Sequence, residues 1–136
     1  MIHLDTNVAI AALNNRPQKV RQAFDARRTA GAAFAISIVA YYELMYGAAA
    51  SERRLQNEEK IALFLAGGGI LLVPFEEEDA REAAWIRAHL KRSGTPIGPY
   101  DVLIAAQARR RGATLVTANA REYARVPGLA VIDWAA

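Results

Sequence analysis

A chain of 136 residues, 53% of them apolar, is the size of one ordinary domain and too apolar to be disordered. It has no cysteine, which excludes disulfides, iron–sulfur clusters, thiolate zinc sites and cysteine nucleophiles; only His3 and His89, far apart in sequence, offer imidazole, so any metal must be held mainly by oxygen, which favours Mg²⁺ or Mn²⁺. The net charge is +3, and of the 17 basic residues all but Lys19, Lys60 and Lys91 are arginine, a bias that suits contact with phosphate and that a GC-rich gene also produces.

The elements follow in order. Met1 to Leu4 is a short apolar run that stops at Asp5, too early for a leader peptide. Thr6 and Asn7 then cap a helix over Val8 to Leu13. A second helix, Gln18 to Arg28, sets Val20, Ala23 and Phe24 on one face. Ala33 to Ile36 reads as a strand, and Ser37 caps a helix to about Gly47. A further helix covers Ser51 to Leu65 and stops at three glycines. Ile70 to Val73 is a uniformly apolar strand, the pattern of one buried on both faces. Glu76 to Lys91 is helical, and Pro99 opens a helix through Arg111. Thr114 to Thr117 and Ala130 to Ile132 are the last strands.

Strands alternating with helices predict one α/β domain over residues 1–136, with a mostly parallel sheet of about five strands covered on both sides. The longest uncharged runs, Thr29 to Tyr42 and Ile61 to Phe75, fall short of the roughly 18 to 20 residues that span a bilayer. A soluble, cytoplasmic protein without a membrane partner is expected.

Ligands of parallel sheets bind beyond the carboxyl ends of the strands. Asp5 follows the first strand directly. Glu43 lies in the helix after the second, in a segment with no basic residue within nine positions on either side. Asp101 sits in the first turn of the helix that Pro99 opens, before the apolar run Val102 to Ala106. Asn119 and Glu122 follow the fourth strand. Each acid has a plain structural use, Asp5 as a helix cap and Asp101 as a partner of the helix dipole. Acids at several strand ends together point instead to a divalent cation and phosphoryl chemistry. The remaining acids, including Glu76 to Asp79, read as solvated surface.

The ordered set Met1 to Asn7, Ser37 with Glu43-Leu44 and Gly47, Gly94 to Ala106, and Leu115 to Asn119 through Val126-Pro127-Gly128-Leu129 to Asp133-Trp134 resembles the PIN-domain ribonucleases over essentially the whole chain. Among them it is most similar to the VapC toxins of VapBC pairs. The resemblance implies a three-layer α/β/α fold and an endoribonuclease that uses Mg²⁺ or Mn²⁺. It also implies an RNA substrate, a homodimer, and a cognate antitoxin whose tail fills the active-site groove. Asp5, Glu43 and Asp101 match the family's metal-binding acids, and Glu122 is taken as the fourth catalytic acid. Thr6, Ser37, Thr117 and Asn119 would orient them. Whether Asn119 or Glu122 completes the site stays open, and the asparagine keeps alive an inactive PIN-like module that binds RNA or protein without cutting.

Other readings fit less well. An aspartyl-phosphate phosphatase needs a second aspartate where this chain has Asn7, and a phosphoacceptor domain needs a lysine after a late strand, where none stands. Arg16, Lys19, Arg21, Arg27 and Arg28 are candidate phosphate contacts. Tyr41, Tyr42, Met45 and Tyr46 offer apolar area for a dimer or antitoxin surface, with about half of them expected in the core.

Overall fold

A computed structural model describes all residues from Met1 to Ala136. Five short strands, β1 (Ile2–Leu4), β2 (Phe34–Ser37), β3 (Leu71–Val73), β4 (Thr114–Val116) and β5 (Ala130–Ile132), form one sheet in the order β3-β2-β1-β4-β5. Every pairing is parallel. The helices between them are α1 (Thr6–Asn14), α2 (Gln18–Thr29), α3 (Ile38–Ala49), α4 (Arg54–Gly67), α5 (Glu77–Arg92), α6 (Pro99–Arg110) and α7 (Ala120–Tyr123). The expected class is observed, with boundaries shifted by one to three residues and with α7 as an addition that no periodicity announced.

Packing follows from the apolar pattern. β2 is buried along its whole length, and His3, Leu4, Leu115 and Val116 of the neighbouring strands are buried too, so helices cover both faces of the sheet centre. Phe24 of α2 packs on Phe34 at 4.6 Å and on Phe64 of α4 at 5.4 Å between ring centroids, tying both helices to the sheet. Gly68 lets the chain leave α4, because a Cβ there would stand 2.9 Å from the Phe24 ring. Ser37 caps α3 as expected, its hydroxyl accepting from the backbone N–H of Val39 and Ala40, both at 3.0 Å.

Two expectations are overturned. β3 is not covered on both faces: it is an edge strand, with Leu71 60% and Leu72 43% exposed. Asp79 is not a solvated acid but fully buried. It accepts the Glu76 N–H at 2.8 Å within a capping box, and its carboxylate meets Arg110 Nε at 2.7 Å and Arg111 Nη1 at 2.8 Å. These partners outweigh burial and hold its pKa down at about 2. His3 lies buried nearby with no hydrogen-bond partner; burial first, then the Arg111 charge, lowers its pKa to about 4, so it is neutral at pH 7. No helix is long and apolar enough to cross a membrane.

Candidate active site

Chain order reverses at β1, which has β2 on one side and β4 on the other. At such a switch point the loops leaving adjacent strands diverge and open a crevice. Asp5 and Thr117, the first residues past β1 and β4, meet there. The Asp5 N–H donates to Val116 O at 2.9 Å, and Thr117 Oγ1 donates to Asp5 Oδ2 at 2.8 Å. Asp5 also caps α1, accepting the Thr6 N–H on Oδ1 at 2.9 Å. Oδ1 thus serves the cap while Oδ2 takes the hydroxyl of the neighbouring strand end.

Glu43 reaches Asp5 through Thr6, by its hydroxyl and its backbone N–H, and Asp101 reaches it through the Tyr123 hydroxyl. Glu43, half-buried in the second turn of α3, accepts Thr6 Oγ1 on Oε1 at 2.7 Å. Asp101, in the first turn of α6, accepts the Tyr123 hydroxyl on Oδ1 at 3.0 Å, and the same hydroxyl lies 3.4 Å from Asp5 Oδ1. Gly98 makes room for the Asp101 carboxylate, since a Cβ there would stand 3.0 Å from Oδ2. Thr6 and Tyr123 thus link three acids from three elements. None of the chain's ion pairs includes Asp5, Glu43, Asp101 or Glu122.

The electrostatics of the group are set by burial and by like charge. Burial raises the Asp5 pKa, and the charges of Asp101 and Glu43 push the same way against the hydrogen bonds from Thr117 and Thr6. Burial also raises that of Asp101, with Glu122 adding to it. The Tyr123 phenol, buried beside two carboxylates, is pushed far above its usual value and keeps its proton.

The supporting residues divide. Thr6 and Thr117 hydrogen-bond the acids directly, whereas Ser37 contacts none of them and serves as the α3 cap. Asn119 acts through its backbone: its N–H donates to Thr117 Oγ1 at 2.9 Å, and its carbonyl accepts from Tyr123 N at 3.2 Å, which starts α7. Glu122 is exposed on α7, its carboxylate without a hydrogen bond, and reaches the site by its charge on Asp101. Tyr123 escaped the sequence reading, although an aromatic beside a candidate acid was a visible signal.

The arginine set on α2 is largely engaged elsewhere. Arg21 pairs with Asp25 at 3.1 Å, Arg28 donates to Gly67 O, and Arg27 stacks over Trp134 at 5.3 Å, leaving the side chains of Arg16 and Lys19 uncommitted. A groove of about 250 Å³ between α1, α3 and α4 instead brings Glu43 together with Lys60 and Asn57 over apolar walls that include Ile10, Leu13 and Leu44.

No three of these acids converge into a ready-made metal cage. The donors fit a hard divalent cation in kind nonetheless: all are oxygens, and the buried Asp5 has acidic neighbours and no basic one. A cation would supply the missing charge.

Fold and site together define a class, the PIN domain, whose family matches residues 2–129. The tRNA(fMet)-specific endonuclease VapC of Salmonella typhimurium is 37% identical over 134 residues, and that of Shigella flexneri 39% over 131; each match covers 96% of both chains. Among solved structures, VapBC2 from Rickettsia felis, bound to a DNA fragment from its promoter, is similar at a TM-score of 0.88 and 31% identity, over 98% of this chain and 99% of that one. DNA-bound VapBC from Salmonella typhimurium gives 0.87 and 35%, over 98% and 97%. The chain belongs to the PIN-domain family and, within it, to the VapC proteins.

Proposed function

We propose that this chain is a metal-dependent endoribonuclease toxin that hydrolyses phosphodiester bonds of cellular RNA and is held inactive by a cognate antitoxin. The observation that carries the reading is the group of carboxylates joined through Thr6 and Tyr123 at the switch point, none of them paired with a lysine or arginine. Asp5, Glu43 and Asp101 would hold Mg²⁺ or Mn²⁺, which when bound supplies an activated water and neutralises charge that builds on the phosphate. Thr6 and Thr117 keep Glu43 and Asp5 from turning away. Glu122, exposed and unpaired, is the acid free to move toward the reacting phosphate. Relatives named for tRNA(fMet) make that tRNA the first substrate to test.

The experiment incubates purified, antitoxin-free protein with tRNA(fMet), an elongator tRNA and a cellular RNA pool, in Mg²⁺, Mn²⁺ or a chelator. A discrete cut in tRNA(fMet) that needs the cation, and that added antitoxin suppresses, is expected. Cutting that persists in the chelator removes the metal from the reading. Cuts confined to other RNAs reassign the substrate, and a folded protein that cuts nothing is a binding module.

A homodimer belongs to the same proposal. Tyr42 and Tyr46 of α3 are 52% and 65% exposed while Tyr41 and Met45 pack against the core, and the Tyr42 ring meets that of Tyr100 edge-on at 5.9 Å. Aromatic anchors commonly contribute more than about 1 kcal/mol each to an interface. Tyr46→Ala is expected to weaken self-association about tenfold in sedimentation velocity, and an unchanged dimer would move the interface to another face.

A further inference from the structure

Tyr123 is the one large side chain of the site that the chemistry above does not use. It ends the four-residue helix α7, is fully buried, and carries its only polar atom into the gap between Asp5 and Asp101. The distances, 3.0 Å to Asp101 Oδ1 and 3.4 Å to Asp5 Oδ1, place one phenol proton between two acceptors. Those acceptors come from separate elements, the end of β1 and the first turn of α6, and as like charges they repel. Thr6 and Thr117 bond Asp5 but do not reach Asp101, so no other side chain hydrogen-bonds both.

A phenylalanine would fill the same space in the core, so packing accounts for the ring and not for the hydroxyl. We propose that Tyr123 is a positioning residue: its hydroxyl holds the Asp5 and Asp101 carboxylates at a fixed separation before a cation arrives, and thereby sets the affinity of the site for that cation. This rests on the reading of Asp5 and Asp101 as metal ligands. Without the tether the Asp101 carboxylate, which has no other side-chain partner, would turn away from Asp5, and the cation would have to draw it back. Groups that orient metal ligands in this way typically change metal affinity by about 10- to 100-fold when removed.

The test is Tyr123→Phe beside the unsubstituted protein and Asp5→Asn, each titrated with Mn²⁺ by calorimetry and each melted without metal. The Mn²⁺ dissociation constant of Tyr123→Phe should rise about 10- to 100-fold while its cooperative melting is kept. In RNA cleavage the Mn²⁺ concentration for half-maximal rate should rise in parallel, with most of the rate regained at saturating Mn²⁺, a split that a packing role would not produce. Unchanged Mn²⁺ binding by Tyr123→Phe, with binding lost in Asp5→Asn, would overturn the positioning role and leave the metal site standing. If the unsubstituted protein binds no Mn²⁺, the metal-site reading and the role of Tyr123 fall together.

Discussion

Asp5→Asn should lower RNA cleavage by roughly 10³-fold or more and, at the same time, raise the melting temperature of the metal-free protein. The first half follows from position. Asp5 lies at the switch point with Asp101 and Glu43 as acidic neighbours, so on the proposed reading its charge would be central to holding a cation there. Losing several kcal/mol of charge stabilisation in the transition state corresponds to about three powers of ten in rate. The second half follows from its raised pKa. A carboxyl whose pKa is higher folded than unfolded binds its proton more tightly in the folded state, so its ionisation at neutral pH costs stability. Asparagine removes that charge and keeps an oxygen to accept the Thr6 N–H and an amide to donate to Thr117 Oγ1. Relief of that cost raises the midpoint of the metal-free protein. Mn²⁺ should then stabilise the original protein and not the variant. Cleavage retained by Asp5→Asn removes Asp5 from the metal site; a lower midpoint would trace any lost activity to damage of the fold.

Replacing Arg110 and Arg111 together by alanine should cost about 3–5 kcal/mol at neutral pH, a large share of the stability of an ordinary domain. Both guanidiniums converge on Asp79, which is fully buried, and without them its charge keeps only the Glu76 N–H as a partner. The effect depends on pH with a definite sign. The Asp79 pKa is depressed, so the stability it lends is complete above the ordinary carboxylate pKa near 4 and disappears as the pH falls toward 2. The gap between original and variant, read by urea denaturation, should therefore close below pH 4. His3 acts earlier. With a folded pKa near 4 against 6.5 unfolded, its protonation favours the unfolded chain, so the original protein should begin to lose stability below pH 6.5. A gap that stays constant from pH 7 to pH 3 would mean that Asp79 is not the charge the arginines hold.

These two clusters were not equally legible in the sequence. Asp5, Glu43 and Asp101 could be singled out because each stands next to an apolar strand or helix face, where a lone carboxylate is out of place. Asp79 stands in the run Glu76-Glu77-Glu78-Asp79, which has the composition of solvated surface. Its burial depends on Arg110 and Arg111, which approach from the far end of another helix. The apolar run of β3 gave the opposite error. Apolarity marks a strand but does not say whether a neighbour covers it, and the sheet order puts β3 at an edge.

The amino-acid sequence by itself determined the alternation of strands and helices, the cap at Ser37, and the set of acids beyond the strand ends, while the first helix starts at Thr6 with Asp5 as its cap in place of Thr6 and Asn7. Those features are written in local spacing, because helix and strand periods and capping bonds connect residues only a few positions apart. The tertiary structure alone decided that Asp5 shares a hydroxyl with Asp101, that Asn119 works through its backbone, that Asp79 is buried and that β3 is an edge. Each of these depends on which strands lie side by side and which helix crosses which. Hydrogen bonds and ion pairs act over about 3 Å of space, whatever the distance along the chain.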